Sequence, residues 1–270
     1  MSSNKNPTPE MVRIVQRALN VLYNAGLTED GRIGPATMAA ALRIPTISSN
    51  WSLARRFVAA LQHIATQAGL EAGPIDGYWG PQTESAVDQL IELSNKGTIE
   101  NWRDNQGPSL IVPSTKWPRG TTAEMNDFFG PVGTNMTKVN TPYTLRLAWD
   151  TSKTLNRFTC HKLCAESIQE AMEDILEVYG RDGIEEFGLD MWGGCLNVRK
   201  MRGGSNYSMH SWGAAIDWDP ARNRLKWRAN QAELAKPVYD DFWAAWEKQG
   251  WTSLGRAKGY DWMHVQACSA

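Results

Sequence analysis

Residues 1–97 contain an internal repeat, and a pattern repeated at this spacing points to one small structural unit built twice. The first copy runs Ala25-Gly26-Leu27, two further residues, then Asp30-Gly31-Arg32-Ile33-Gly34-Pro35-Ala36-Thr37. The second runs Ala68-Gly69-Leu70 and, after three additional residues, Asp76-Gly77-Tyr78-Trp79-Gly80-Pro81-Gln82-Thr83. From the aspartate onward the offset is a constant 46. Each copy reads as helix, loop, helix. Val12, Val15, Leu19 and Leu22 precede the first loop at helical spacing, and Phe57, Leu61 and Ile64 precede the second. Asp-Gly supplies a turn in which glycine tolerates positive φ. Gly-Pro then restarts a helix with proline at its first position, where the missing N–H costs nothing. Met38, Ala41 and Leu42, and later Ala86, Val87, Leu90 and Ile91, supply the apolar stripe that follows. The copies are expected over about residues 10–45 and 55–93.

Residues 98–122 change character. Gly107-Pro108, Pro113, Pro118 and Gly120 break up the polar run around Asn101-Trp102-Arg103-Asp104. This span reads as a linker crossing the surface, and its length argues for a domain boundary. From residue 123 to 270 helical and strand patterns mix. Ser167 to Tyr179 is amphipathic and predicts a helix that starts near 160 and ends at Gly180. Ala214 to Asp219 alternates like a strand, Tyr239 to Lys248 predicts a helix ended by Gly250, and Val265 sits in a final strand. Strands and helices without βαβ regularity define an α+β class.

Composition narrows the function. A net charge of -1 gives no electrostatic case for nucleic acid or an anionic membrane. No apolar run approaches the length of a membrane span, and the first ten residues lack the apolar core of a signal peptide. Synthesis in the cytoplasm follows as the expectation, as does a monomer. Cys160, Cys164, Cys195 and Cys268 form no C-x-x-C pair and read as free, buried thiols, including the two that flank Cys160-His161-x-x-Cys164. The 13 tryptophans exceed what surface decoration needs, so most are assigned to cores and a minority to stacking on sugar faces.

Chemistry concentrates in Ser208-Met209-His210-Ser211-Trp212-Gly213-Ala214-Ala215-Ile216-Asp217 and in Asp261-Trp262-Met263-His264. His210, Asp217 and His264 offer two imidazoles and a carboxylate to one divalent ion, a donor set that suits Zn2+. In an unbroken strand His210 and Asp217 would face opposite ways. A bend at Gly213 could bring them together, and His264 would complete the set from a neighbouring strand. Asp261 is the candidate general base, provided the chain between it and His264 is kinked. Asp219 shares Asp217's parity and is the alternative.

Two resemblances follow. The repeat resembles the peptidoglycan-binding domain with D-G-x-x-G-P-x-T between two helices; the second copy is the closer one, and the resemblance makes Tyr78 and Trp79 candidate glycan contacts. Residues 123–270 resemble the M15 zinc peptidases, which include D-alanyl-D-alanine carboxypeptidases and the L-alanyl-D-glutamate peptidases of phage endolysins. The family's S-x-H-x-x-G-x-A-x-D stands at Ser208 to Asp217, and its acidic-x-x-His at Asp261 to His264. The resemblance implies an antiparallel sheet with flanking helices, in the Hedgehog-like peptidase fold. It implies zinc on His210, Asp217 and His264, water activation by Asp261, and an upstream arginine toward substrate. Arg199 fits that arginine's placement and Arg202 lies close behind; Ser208 is a candidate substrate contact. Many relatives carry glutamate at the base position, and aspartate is closer to the phage branch.

The expected activity is hydrolysis of a stem-peptide bond in bacterial peptidoglycan, L-Ala–D-Glu first and a D-Ala–D-Ala or D,D cross-link second. The expected setting is a lysin that reaches the periplasmic wall after membrane permeabilisation. A non-catalytic wall-binding or phage structural module is the alternative of a different class.

Overall fold

The computed structural model describes residues 6–104 and 116–270. The chain forms two compact units, Met1–Glu100 and Asn101–Ala270. Eight helices and one six-stranded sheet are present among the described residues, an α+β chain.

The first unit is helical: α1 (Pro9–Tyr23), α2 (Pro35–Ala41), α3 (Leu53–Gln67) and α4 (Pro81–Lys96). Thr8 and Ser52 cap α1 and α3 by accepting from the backbone N–H of Met11 and Arg55, while Pro35 and Pro81 open α2 and α4. Val15, Leu19, Ala41, Leu61 and Val87 meet in one buried core. Leu22 and Leu42, read above as part of the apolar stripes, are exposed instead, Leu22 in the last turn of α1 and Leu42 at the cap that follows α2.

A buried glutamine on the first helix of each copy holds the repeated loop. Gln62 Nε2 donates to Asp76 Oδ1 (3.0 Å), the Tyr78 carbonyl (3.1 Å) and Thr83 Oγ1 (3.0 Å), and its Oε1 accepts from the N–H of Asp76 (3.1 Å) and Gly77 (2.8 Å). Gln16 does the same in copy one, reaching Asp30, the Arg32 carbonyl, Thr37 and the Gly31 N–H. The aspartate and threonine of the repeat are therefore needed as partners for a side chain at the same offset upstream. Gln62→Ala should leave several buried groups unsatisfied and destabilise the first unit by about 3 kcal/mol, read as a lower urea midpoint of its transition. A change within about 0.5 kcal/mol would remove the glutamine from this role.

Trp79, expected as a glycan contact, is 9% exposed and packs in the helical core, which leaves little of its ring for a ligand. Tyr78 points the other way and is 54% exposed. Sequence parity alone did not separate the two, because the loop between glycines has no regular period.

The second unit opens with α5 (Thr122–Phe129), followed by the long strands β1 (Met136–Leu147) and β2 (Asp150–His161). Then come α6 (Ala165–Phe187), β3 (Met191–Gly194), β4 (Ala215–Trp218), α7 (Asp240–Lys248), β5 (Thr252–Ser253), α8 (Leu254–Lys258) and β6 (His264–Gln266). The sheet order is β2-β1-β3-β4-β6-β5. All pairs are antiparallel except β1 with β3, which makes the sheet mixed rather than purely antiparallel. The long α6 excursion between β2 and β3 returns the chain alongside β1 in the same direction. The helix predicted from near residue 160 begins only at Ala165, since Cys160 and His161 complete β2. Gly180, at φ 61° and ψ 176°, breaks the helix as expected, and a second helical stretch follows directly across the kink to Phe187.

Trp212, Trp218, Trp243, Trp246 and Trp251 are fully buried in this unit's core, so core filling accounts for them. The four cysteines are free and buried. Residues 101–104 and 116–122, read above as surface linker, belong to the second unit. Trp117 packs in its core and donates Nε1–H to the Gln249 carbonyl (2.9 Å), and Ser269 N–H donates to the Pro118 carbonyl (3.0 Å). The middle of the linker reading, residues 105–115, lies outside the described residues.

Candidate active site

Strand pairing and one turn build the site. In the antiparallel β4–β6 pair, Asp217 and His264 are directly opposed, which puts both side chains on one face. His210 comes from a single 3-10 turn, Met209–Trp212, immediately before β4. Gly213 ends that turn at φ 62°, and its N–H returns to the carbonyls of His210 and Met209. A Cβ at this position would lie 2.8 Å from the His161 backbone nitrogen, so only glycine fits here. The bend removes the parity conflict, and His210 reaches the face of Asp217.

The three inner atoms form a tight triangle. His264 Nδ1 lies 2.9 Å from Asp217 Oδ1, and His210 Nε2 lies 3.2 Å from both. Their outer nitrogens fix the tautomers: His210 Nδ1–H donates to the Cys195 carbonyl (2.6 Å), and His264 Nε2–H donates to Gln266 Oε1 (3.0 Å). With those tautomers both inner nitrogens present lone pairs toward the carboxylate oxygen, an arrangement that a bound cation would satisfy. Burial pushes the His210 pKa down and keeps the ring neutral, as a ligand requires. Tetrahedral coordination with bonds of about 2.0–2.1 Å puts ligand atoms about 3.3 Å apart, close to the edges of this triangle. The donor set fits a zinc ion.

Asp261 lines the same cleft as Asp217 and His264. It adopts φ 58°, and the His264 N–H bonds back to its carbonyl (3.0 Å), a kinked turn that turns both side chains to one side. Its Oδ2 accepts from Arg103 Nη2, and its Oδ1 is buried without a partner. Asp219, the alternative base, is placed elsewhere. At φ 45° it turns away from the cleft and pairs with Arg222.

Arg199, Arg202 and Ser208 also line the cleft. The Arg199 backbone is tied to the histidine turn on both sides: its N–H donates to Ser211 Oγ (3.0 Å), and its carbonyl accepts from the Ser208 N–H (2.9 Å). Its guanidinium donates to the Lys200 carbonyl (2.9 Å) while Nε has no partner. Burial, with Arg202 nearby, lowers its pKa to about 10, so it stays cationic at neutral pH. The sequence pattern did not mark Arg103, Cys195 through its carbonyl, or Gln266 as belonging to this site. Only Gln266 could have been found, since it shares the strand parity of His264.

Residues 202–267, about a quarter of the chain, match the family described as D-alanyl-D-alanine carboxypeptidase, an M15 peptidase family. The matched stretch contains His210, Asp217, Asp261 and His264 and supports a cell-wall peptidase of the M15 type. No curated protein and no solved structure matches the chain. No helix among the described residues is long and apolar enough to cross a membrane.

Proposed function

We propose that the chain is a modular, phage-type lysin: a zinc peptidase that cuts a peptidoglycan stem peptide, carried with a unit that holds the polymer. The carrying observation is the convergence of His210 Nε2, His264 Nδ1 and Asp217 Oδ1 within 3.2 Å of one another, in a cleft shared with Asp261 and Arg199. Zinc bound there supplies a Lewis acid that makes water nucleophilic near neutral pH and polarises the scissile carbonyl. Asp261 takes a proton from the attacking water through Oδ1. As the water oxygen bonds to the carbonyl carbon and the C–N bond breaks, Asp261 passes that proton to the leaving amine. The Arg199 fork holds a substrate carboxylate or the developing oxyanion, with Arg202 and Ser208 on the same wall. A complete donor set with a base beside it favours an enzyme over a non-catalytic wall module.

The favoured bond is L-Ala–D-Glu. Both candidate bonds place a carboxylate on the residue directly after the cut, within reach of a guanidinium at the cleft wall, so the preference rests on the aspartate base, which resembles that of the phage peptidases. D-Ala–D-Ala is the second reading, favoured by the description of the matched family. Mass spectrometry of digested sacculi separates them: new N-terminal D-Glu is expected, released D-Ala selects the second reading, and no product from zinc-loaded protein overturns both.

The first unit supplies a candidate sugar platform. Arg55 lies over the rings of Trp51 (4.1 Å) and Tyr78 (4.5 Å), which leaves an outer Tyr78 face open for stacking. In copy one Arg32 stands at the Tyr78 position, so polymer binding is assigned to the second copy. Holding the wall this way raises the local substrate concentration for the peptidase once the membrane has been permeabilised.

A further inference from the structure

We infer that Arg103, far upstream of the peptidase motif, is the positioning residue for the proton-transferring carboxylate of Asp261. The inference rests on the peptidase reading above. Arg103 lies outside the matched stretch 202–267 and is separated from Asp261 by 158 positions.

The segment Trp102–Asp104 is fastened to the cleft rim at each residue. The Arg103 N–H donates to the Gly203 carbonyl (2.7 Å), and Asp104 Oδ1 accepts from the Ser205 N–H (3.2 Å). The Trp102 indole fills the space over Gly203, where any side chain would collide with it, and meets Tyr260 edge-on at 5.0 Å. Tyr260 also lies under the Arg103 guanidinium, at 5.2 Å. Arg103 is thereby aimed inward. Its side chain is 9% exposed, that of Asp261 is 4% exposed, and they form an ion pair.

The pairing divides the two oxygens of Asp261 between two tasks. Oδ2 is occupied by Arg103, and Oδ1 remains without a partner in the buried cleft. A general base works best when one atom is fixed by a third group and another is left open to the proton it must take. Backbone bonds fix where Asp261 starts: its N–H donates to the Leu225 carbonyl (3.0 Å), and its carbonyl accepts from the His264 N–H. The plane of the carboxylate is set by the guanidinium. Without it, a buried carboxylate loses its counter-charge and its orientation together.

A double-mutant cycle on the full-length, zinc-loaded protein tests this, with a disaccharide pentapeptide as substrate because it contains both candidate bonds. Arg103→Ala should lower kcat by about 10–100-fold, the range for residues that orient a reacting group, with KM within about twofold and metal content unchanged. Arg103→Lys should recover part of the loss. In an Asp261→Asn background, Arg103→Ala should add nothing further, since it acts only through the missing carboxylate. Full additivity, a loss confined to KM, or an Arg103→Ala kcat within about twofold of the parent while Asp261→Asn is inactive, would each overturn the inference and leave the peptidase reading standing. If Arg103→Ala does not fold, Arg103→Lys takes its place in the cycle. Wild-type protein that releases no product overturns the peptidase reading and this inference with it.

Discussion

His210→Ala is expected to reduce bound zinc from about one ion per chain to near zero and peptidoglycan hydrolysis by at least about a thousandfold. His210 is the one member of the triangle that is not on a strand, and the only one whose outer nitrogen bonds a main-chain carbonyl, that of Cys195. Alanine removes one of three metal donors and leaves His264 Nδ1 and Asp217 Oδ1, 2.9 Å apart, with no third atom opposite them. The helical unit has its own core and does not depend on this change, so the variant should still sediment with sacculi. Metal analysis, a turbidity assay and the pull-down check the three parts separately. Lysis at the parental rate would remove His210 from the ligand set.

Asp261→Asn is expected to keep the metal and lose turnover by about 10²–10⁴-fold, the contribution of a positioned general acid–base. The amide is nearly isosteric, and its oxygen can still accept from Arg103, so the cleft should keep its shape. What it lacks is a lone pair basic enough to hold a proton. Metal analysis and single-turnover rates on the same preparation separate the two roles. A variant that loses its metal would make Asp261 a ligand, and the base would have to be sought elsewhere in the cleft.

The features legible in the sequence are those set by local rules. Gly-Pro starts two helices, Asp-Gly makes two turns, and strict offsets mark the repeat. The convergence of His210, Asp217 and His264 was readable because it needs only one bend, at Gly213, and one strand pairing. The sequence left the choice between Asp261 and Asp219 open. It turned on a left-handed backbone at both residues, which points one carboxylate into the cleft and the other at Arg222. The parallel β1–β3 pair depends on tertiary packing that no local pattern encodes. Tyr78 and Trp79 are neighbours with opposite fates, one exposed and one in the core, because a loop lacks the period that sorts residues into faces. Arg103 was out of reach for a different reason. Its partner is 158 positions away, and the surrounding polar, proline-rich composition resembles a linker.

The most direct measurement is zinc-edge X-ray absorption on the purified, full-length protein. A shell of nitrogen and oxygen scatterers at about 2.0–2.1 Å, with the outer-shell signature of two imidazoles that falls to one in His264→Ala, is the expected result. Sulfur scatterers at about 2.3 Å, or a spectrum unchanged by His264→Ala, would contradict a metal held by His210, Asp217 and His264.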